Sequence, residues 1–389
     1  MLRNEEFIAT VTPLDWTLEQ STPEGFAAEI DQELTGWKEL AESQGISSNT
    51  DSCRPPSDGV GFPRQQWIAM SARSTCVILD DYQSAALAVA DWSVLDGRVD
   101  LRRFDRHLGA EGEVAEALRG ADIVIAMRER TPFPRSLFQK LQDLKHLVTT
   151  GARNRSIDLD AARDHGVLVT HTLSAGNPAA ELAWAGMLSA LRNIPAEVQN
   201  FRAAGRWQQG LGRSAEGKQL GIVGRGTLGA KCARFGQAFG MEVAGWTRTD
   251  LAARAAALGI QPLDLEDLFA TSDVVMIQLS LVPGTRGFVT PALLGLMKPD
   301  AILVNTSRGP IVDESALIAA LEDSRIGGAV LDVFDTEPLP ADHPFRRLPN
   351  VLATPHIGYV TEENYRVYYR DAVENIAAWL DGTPVRVLT

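Results

Sequence analysis

Cysteine is scarce: the 389 residues hold three, Cys53, Cys76 and Cys232, and no two of them form a CxxC pair. A disulfide framework and a cysteine-based zinc site are therefore not expected, and a reducing cytoplasm is the expected compartment. Long apolar runs are missing as well; none approaches the ~20 residues that span a bilayer. The stretch Met1–Ser21 lacks the basic-then-apolar order of a secretory signal, so none is expected. Positive charge is in deficit, with 37 Lys and Arg against 50 Asp and Glu and a net charge of −13. That balance argues against nucleic acid as the main partner, and the missing apolar runs argue against a membrane. No internal repeat and no low-complexity tract interrupts the chain.

What is present points to folded α/β structure. The chain is 45% hydrophobic, and its length suggests two or more domains. Its acidity is uneven: residues 1–69 carry 12 acids and 4 bases, and the remainder is close to balanced. This first segment mixes polar clusters such as SSNTDSCRPPSDG with scattered apolar residues and shows no sustained period. Residues 1–72 are expected to be an N-terminal extension, either disordered or the product of a misassigned start, because Met70 leads straight into the strand-like CVIL.

From there, short apolar runs alternate with helical stretches: DIVIAM, HLVTT and GVLVT, then QLGIVG, MEVAGW, DVVMIQL, AILVNT, GGAVLDVF and NVLATPH. This is βαβ rhythm and implies parallel sheets. Between the two series lies an apolar helix, Pro178–Asn193, with Asn177 as its expected N-cap, buried or at a subunit interface. Ligands of parallel sheets bind beyond the carboxyl ends of the strands, so the residues there are the candidates for chemistry.

The first strand of the second series runs into Gly224-Arg225-Gly226-Thr227-Leu228-Gly229, with a helix pattern after it and a further strand closing a βαβ unit. Gly224 allows a tight turn, Gly226 lets the backbone approach a pyrophosphate at the helix N-terminus, and Gly229 allows close packing of helix on strand. The tip of the next strand carries Thr247 and Arg248 in place of the acid that would bind a ribose 2′-hydroxyl. A small neutral residue leaves room for a 2′-phosphate and a guanidinium can pair with it, so NADP is favoured over NAD; Asp250 is the nearest competing carboxylate. Three later strand ends carry Arg308, Glu337 and His356. A His can give or take a hydroxyl proton near neutral pH, a carboxylate beside it stabilises the imidazolium, and an Arg can clamp a carboxylate and polarise a carbonyl. The other histidines, His107, His146, His165, His171 and His343, have no such company and are expected to be structural or solvated. No metal is expected.

The segments GIVGRGTLG, NTSRGPIVDESAL, GGAVLDVFDTEPLP and ATPHIGYVTEE stand in the order and spacing of the D-isomer-specific 2-hydroxyacid dehydrogenases, and the chain resembles that family from about residue 75 onward. The resemblance implies two Rossmann- or flavodoxin-like parallel-sheet domains with a cleft between them. A discontinuous substrate-binding domain would comprise 73–172 and 358–389, and a dinucleotide-binding domain 173–357. It implies that His356 is the acid/base, Glu337 its partner and Arg308 the substrate-orienting cation, with Asp332 contacting the nicotinamide carboxamide. Substrate contacts would come from Arg128 and from backbone amides at Ala152 and Arg153 in the loop Gly151–Asn154. Family members usually carry a second Gly where this chain has Arg153. The substrate would be a small 2-keto or 2-hydroxy acid, and the expected assembly is a homodimer through the Pro178–Arg206 region. A dinucleotide-sensing corepressor of the C-terminal-binding-protein type also keeps the Arg/Glu/His set and is the alternative. Formate dehydrogenases of the superfamily pair their His with Gln, which Glu337 does not match.

Overall fold

The computed structural model describes residues 73–224, 226–248 and 251–389. The expected N-terminal extension, Arg225 and Asp250 lie outside these residues.

The described residues form two parallel sheets. The first contains β1 (Ser74–Ile78), β2 (Val99–Arg103), β3 (Ile123–Ala126), β4 (His146–Thr149) and β5 (Leu168–His171) in the order β2-β1-β3-β4-β5. The second contains β6 (Gln219–Val223), β7 (Glu242–Trp246), β8 (Gln261–Pro262), β9 (Val274–Ile277), β10 (Ile302–Asn305), β11 (Gly328–Leu331) and β12 (Val351–Ala353) in the order β12-β11-β10-β9-β6-β7-β8. Central strands such as β3 and β9 are buried at every residue. That is why they read as unbroken apolar runs: a parallel sheet is covered on both faces.

Alternation along each strand divides its side chains between two cores. In the first sheet Val77, Val124 and Leu147 face the helices Glu111–Ala117, Arg135–Phe138 and Leu159–Asp164, which contribute Val114, Phe138 and Ala161. The opposite face, with Cys76, Ile78, Ile123 and Ile125, is covered by Tyr365, Tyr368, Tyr369, Ala372 and Ile376 of the helix Glu362–Leu380. In the second sheet, one face packs on the helices Leu265–Thr271, Pro291–Leu296 and Glu314–Glu322. The other packs on Pro178–Leu191 and Thr227–Ala238. Pro178–Leu191 buries Ala180, Ala183, Trp184, Met187 and Leu191, a stripe at helical spacing. It lies so close to β11 that a Cβ on Gly186 would stand 2.6 Å from Val330.

The chain leaves the first sheet through residues 171–175; the Thr172 amide still donates to the Thr149 carbonyl of β4, and beyond it the backbone turns away from the sheet. Three buried polar side chains of the helix Glu362–Leu380 supply the partners. Asn375 Nδ2 donates to the His171 carbonyl at 2.8 Å, the Leu173 amide donates to Asp371 Oδ2 at 2.8 Å, and the Ala175 amide donates to Asn364 Oδ1 at 2.7 Å. Seven and four residues apart, these side chains share one helix face, and, buried themselves, each finds its partner in the backbone of the crossing segment.

Two strands were not visible in the sequence. β2 is exposed at four of its five residues and β8 at both of its two, so neither carries an apolar alternation. Both are edge strands, which tolerate polar residues. Asn177 does stand at the N-cap position of Pro178–Leu191, but its side chain makes no capping bond.

Asp371→Ala removes the buried acceptor of the Leu173 amide. The expected loss is about 1–3 kcal/mol of unfolding free energy, read from denaturant titration. A loss below about 0.5 kcal/mol, within the range of ordinary surface changes, would show that this bond does not hold the crossing segment.

Candidate active site

Each sheet reverses its strand order once near its centre, between β1 and β3 in the first and between β6 and β9 in the second. Adjacent loops diverge at such points and leave a crevice beyond the strand ends. The polar residues of the site stand on the loops that follow β3, β4, β10, β11 and β12, and the glycine loop follows β6.

His356 follows β12 in a left-handed backbone conformation, φ 53°. A non-glycine residue held there costs energy that its surroundings must supply. Asp332, just past β11 and 2% exposed, supplies it. Its Oδ1 accepts from Thr354 Oγ1 at 2.6 Å and from the Ile357 amide at 2.8 Å, and its Oδ2 accepts from the Gly358 amide at 2.7 Å. Burial raises the Asp332 carboxyl above its ordinary value, against the opposing pull of these donors. The expected nicotinamide contact is thus joined by a second role, since both oxygens of Asp332 already hold the turn that carries His356.

Glu337 reaches the same imidazole from the loop after β11. Its Oε1 accepts from the Phe334 amide at 2.9 Å, and its Oε2 lies 2.5 Å from His356 Nδ1. With Nδ1 occupied by a carboxylate, Nε2 is the ring nitrogen left for proton exchange. The three strand-end residues singled out by sequence meet in one place. His356 and Arg308 line a cavity of about 670 Å³, and Glu337 touches the far side of the imidazole.

Arg308 does not stand alone there. Asn305 Nδ2 donates to the Arg308 carbonyl at 3.0 Å and Ser307 Oγ donates to the Ile277 carbonyl at 2.8 Å, which fixes the loop after β10. The guanidinium donates from Nη1 to the Ser307 carbonyl and from Nη2 to Glu129 Oε1 at 2.9 Å. Glu129 was not anticipated. Its Oε2 lies 3.7 Å from Arg128 Nε and has no hydrogen-bond partner. Burial pushes the Glu129 carboxyl up, but Arg308 and Arg128 outweigh that and hold it below the ordinary value, so it is ionised. The one sequence signal was its place in RERT, immediately beyond β3.

Arg128 and Arg153 line the same cavity, as does Arg155, whose Nη1 donates to the Leu281 carbonyl across to the second sheet's loops. Arg128 is also left-handed, φ 52°, with its amide donating to Thr150 Oγ1 and its carbonyl accepting from Asn154 Nδ2. Its guanidinium occupies the space where a Cβ on Gly151 would be. Ala152 is exposed and is not part of the cavity wall. The Gly151 amide is already taken by Thr172 Oγ1 at 2.8 Å, so the loop offers less free backbone than expected. His107, expected to be structural or solvated, lines a second cavity of about 710 Å³ whose walls include Glu129, Glu337 and His356. His146 is structural: it is fully buried, and burial lowers its ring to about 3.

The glycine loop has the geometry that a dinucleotide needs. Gly224 has φ 96°, and a Cβ on it would lie 2.5 Å from the Gln278 carbonyl. A Cβ on Gly229 would lie 2.3 Å from the Gly224 carbonyl, so helix and strand approach as the spacing required. Gly226 faces open space, at the N-cap of the helix Thr227–Ala238. Gly226, Thr227 and Leu228 line the 670 Å³ cavity, and Gln278 Nε2 and Thr306 Oγ1 on its walls are buried without partners. An extended group with both donors and acceptors fits this cradle. Thr247 is half-buried and Arg248 exposed, just past the end of β7 and outside the cavity wall.

Comparison with known proteins agrees with this geometry. Residues 184–358 match the family model described as D-isomer specific 2-hydroxyacid dehydrogenase, NAD binding domain. The chain is 35% identical over 280 residues to glyoxylate/hydroxypyruvate reductase B of Yersinia enterocolitica, covering 70% of this chain and 84% of that one. It is 34% identical over 274 residues to D-3-phosphoglycerate dehydrogenase of Methanocaldococcus jannaschii. That match takes in 69% of this chain but spans only about half, 52%, of that relative's length. Among solved structures, a putative D-3-phosphoglycerate dehydrogenase oxidoreductase from Ralstonia solanacearum superposes with a TM-score of 0.76 at 36% identity. It covers 80% of this chain and 96% of its own. On these matches, the chain belongs to the D-isomer-specific 2-hydroxyacid dehydrogenase family.

Proposed function

We propose that this protein reduces a 2-keto acid to the D-2-hydroxy acid, or catalyses the reverse, with a nicotinamide dinucleotide as the hydride carrier. The observation that carries the reading is the 2.5 Å contact between His356 Nδ1 and Glu337, beside Arg308 in a cavity that opens onto the glycine loop. The bound nicotinamide supplies or accepts the hydride. During reduction His356 Nε2 gives its proton to the substrate oxygen, and Glu337 stabilises the imidazolium that must be present beforehand. Arg308 orients the substrate's carboxylate and polarises its carbonyl. In this reading, residues 173–357 are the dinucleotide-binding domain, 73–172 and 358–389 the substrate-binding domain, and closure of the cleft excludes water. We place the protein in the cytoplasm; its described cysteines, Cys76 and Cys232, are buried free thiols, which suits a reducing compartment.

His356→Ala is expected to lower turnover by a factor on the order of 10² to 10⁴ while cofactor affinity stays nearly constant, measured by steady-state kinetics and fluorescence titration. An equal fall in cofactor affinity would make His356 structural. Glu337→Gln is expected to shift the pH profile for reduction toward acid, because the imidazolium loses its charged neighbour.

For the cofactor, NADP(H) is favoured over NAD(H). Thr247 offers no carboxylate to repel a 2′-phosphate, and Arg248 is exposed and free to approach one. The kcat/KM ratio for NADPH over NADH is expected above one in the parent and reduced in Thr247→Asp. A parent that strongly prefers NADH overturns this part of the reading.

A homodimer is the proposed assembly. The helix Ile194–Arg202 and the segment after it expose Phe201 at 69%, Trp207 at 83% and Leu211 at 95%. Apolar side chains this exposed and this close together are the mark of a covered face. Light scattering is expected to give the mass of a dimer, and Phe201→Glu with Trp207→Glu that of a monomer.

A further inference from the structure

We propose that the 710 Å³ cavity is the substrate's side-chain pocket and selects 2-keto acids that carry a large uncharged side chain, aryl or branched alkyl. The inference rests on the dehydrogenase reading above and goes beyond the small or phosphorylated acids named for the relatives.

The two cavities share Glu129 and His356 in their walls but differ in charge. The 670 Å³ cavity gathers Arg128, Arg153, Arg155 and Arg308 against the acids Glu129 and Asp332. A substrate carboxylate is attracted there. With the keto carbon within reach of His356 and the carboxylate among the arginines, the rest of the substrate points past Glu129 into the 710 Å³ cavity.

That second cavity is walled largely by apolar and ring surfaces, among them Tyr82, Pro132, Phe334, Pro338, Leu339 and Ile357. Its two arginines are held by neutral acceptors, and His107 Nδ1 on the same wall is buried without a hydrogen-bond partner. Arg130 Nη1 donates to the Asp80 carbonyl at 2.8 Å, and its guanidinium lies over the rings of Tyr82, 4.4 Å away, and Tyr359, 5.3 Å away. Arg346 donates from Nε to the Pro340 carbonyl at 2.7 Å and from Nη2 to the Leu339 carbonyl at 2.6 Å. Glu129, at the junction of the cavities, and Glu337 contribute negative charge. A second anionic group on the substrate must pass the Glu129 carboxylate at the junction of the cavities, and like charges repel. A small substituent leaves most of the apolar wall uncovered and forgoes the burial that a large one gains.

The test measures kcat/KM for phenylpyruvate, pyruvate, glyoxylate, 2-oxoglutarate and 3-phosphohydroxypyruvate with both reduced cofactors. The parent is expected to prefer phenylpyruvate at least tenfold over each of the others. In Leu339→Trp, which fills the pocket, the ratio of phenylpyruvate to pyruvate is expected to fall at least tenfold. In Glu129→Gln the ratio of 2-oxoglutarate to phenylpyruvate is expected to rise. A parent that prefers pyruvate or glyoxylate overturns the proposal. So does one that prefers 3-phosphohydroxypyruvate, which would put a second anion among the arginines of the first cavity. A Leu339→Trp variant that slows all five acids equally would also overturn it, because the pocket would then not hold the side chain. Failure of all five acids with either cofactor would instead sink the dehydrogenase reading itself, so the two failures are distinguishable.

Discussion

The site depends on one buried carboxylate. Asp332 accepts three hydrogen bonds from the turn at 354–358, and those bonds hold His356 in a backbone conformation that it would not adopt alone. Without them the chain after β12 has no reason to rise left-handed, and the imidazole has no fixed direction. Glu337 can then meet Nδ1 only by chance, because its own anchor, the Phe334 amide, belongs to a different strand end. The ordering runs from fold to site: two adjacent parallel strands bring Asp332 and the turn together, and the turn aims the imidazole. Burial that raises the Asp332 carboxyl is the cost of the arrangement, and the three donors offset it.

A second constraint acts on the opposite wall. Arg128 is bent into the left-handed region by Thr150 and Asn154, and its guanidinium fills the space that Gly151 leaves open. This brings a second arginine to Glu129, so that one carboxylate lies between two cations contributed by different sheets. The Arg308–Glu129 bond is therefore a contact between the two walls of the cleft. The positive field in the cleft is left to Arg153 and Arg155, both exposed on the loop after β4, as much as to the paired arginines.

Much of this was legible in the sequence because it is local. Fully buried parallel strands read as apolar runs, and the glycine loop is a six-residue pattern whose geometry follows from its spacing. Arg308, Glu337 and His356 each stand just beyond such a run. The edge strands β2 and β8 were not legible, since solvent on both faces removes the alternation that marks a strand. Glu129 was missed for a different reason: its partner Arg308 is 179 residues away, and only the fold reveals the pair. His107 looked solitary for the same cause.

The helix Glu362–Leu380 covers one face of a sheet whose strands end at His171. During synthesis, Cys76, Ile78, Ile123 and Ile125 emerge from the ribosome long before their cover does. Roughly 190 residues separate the last strand from the helix, which at about 5–20 residues per second is a delay of about 10–40 seconds. The second sheet has its whole chain by then and can fold first. The nascent first sheet is left with an apolar face open to chaperones, and its completion coincides with the arrival of the helix that also fastens the crossing segment at 171–175.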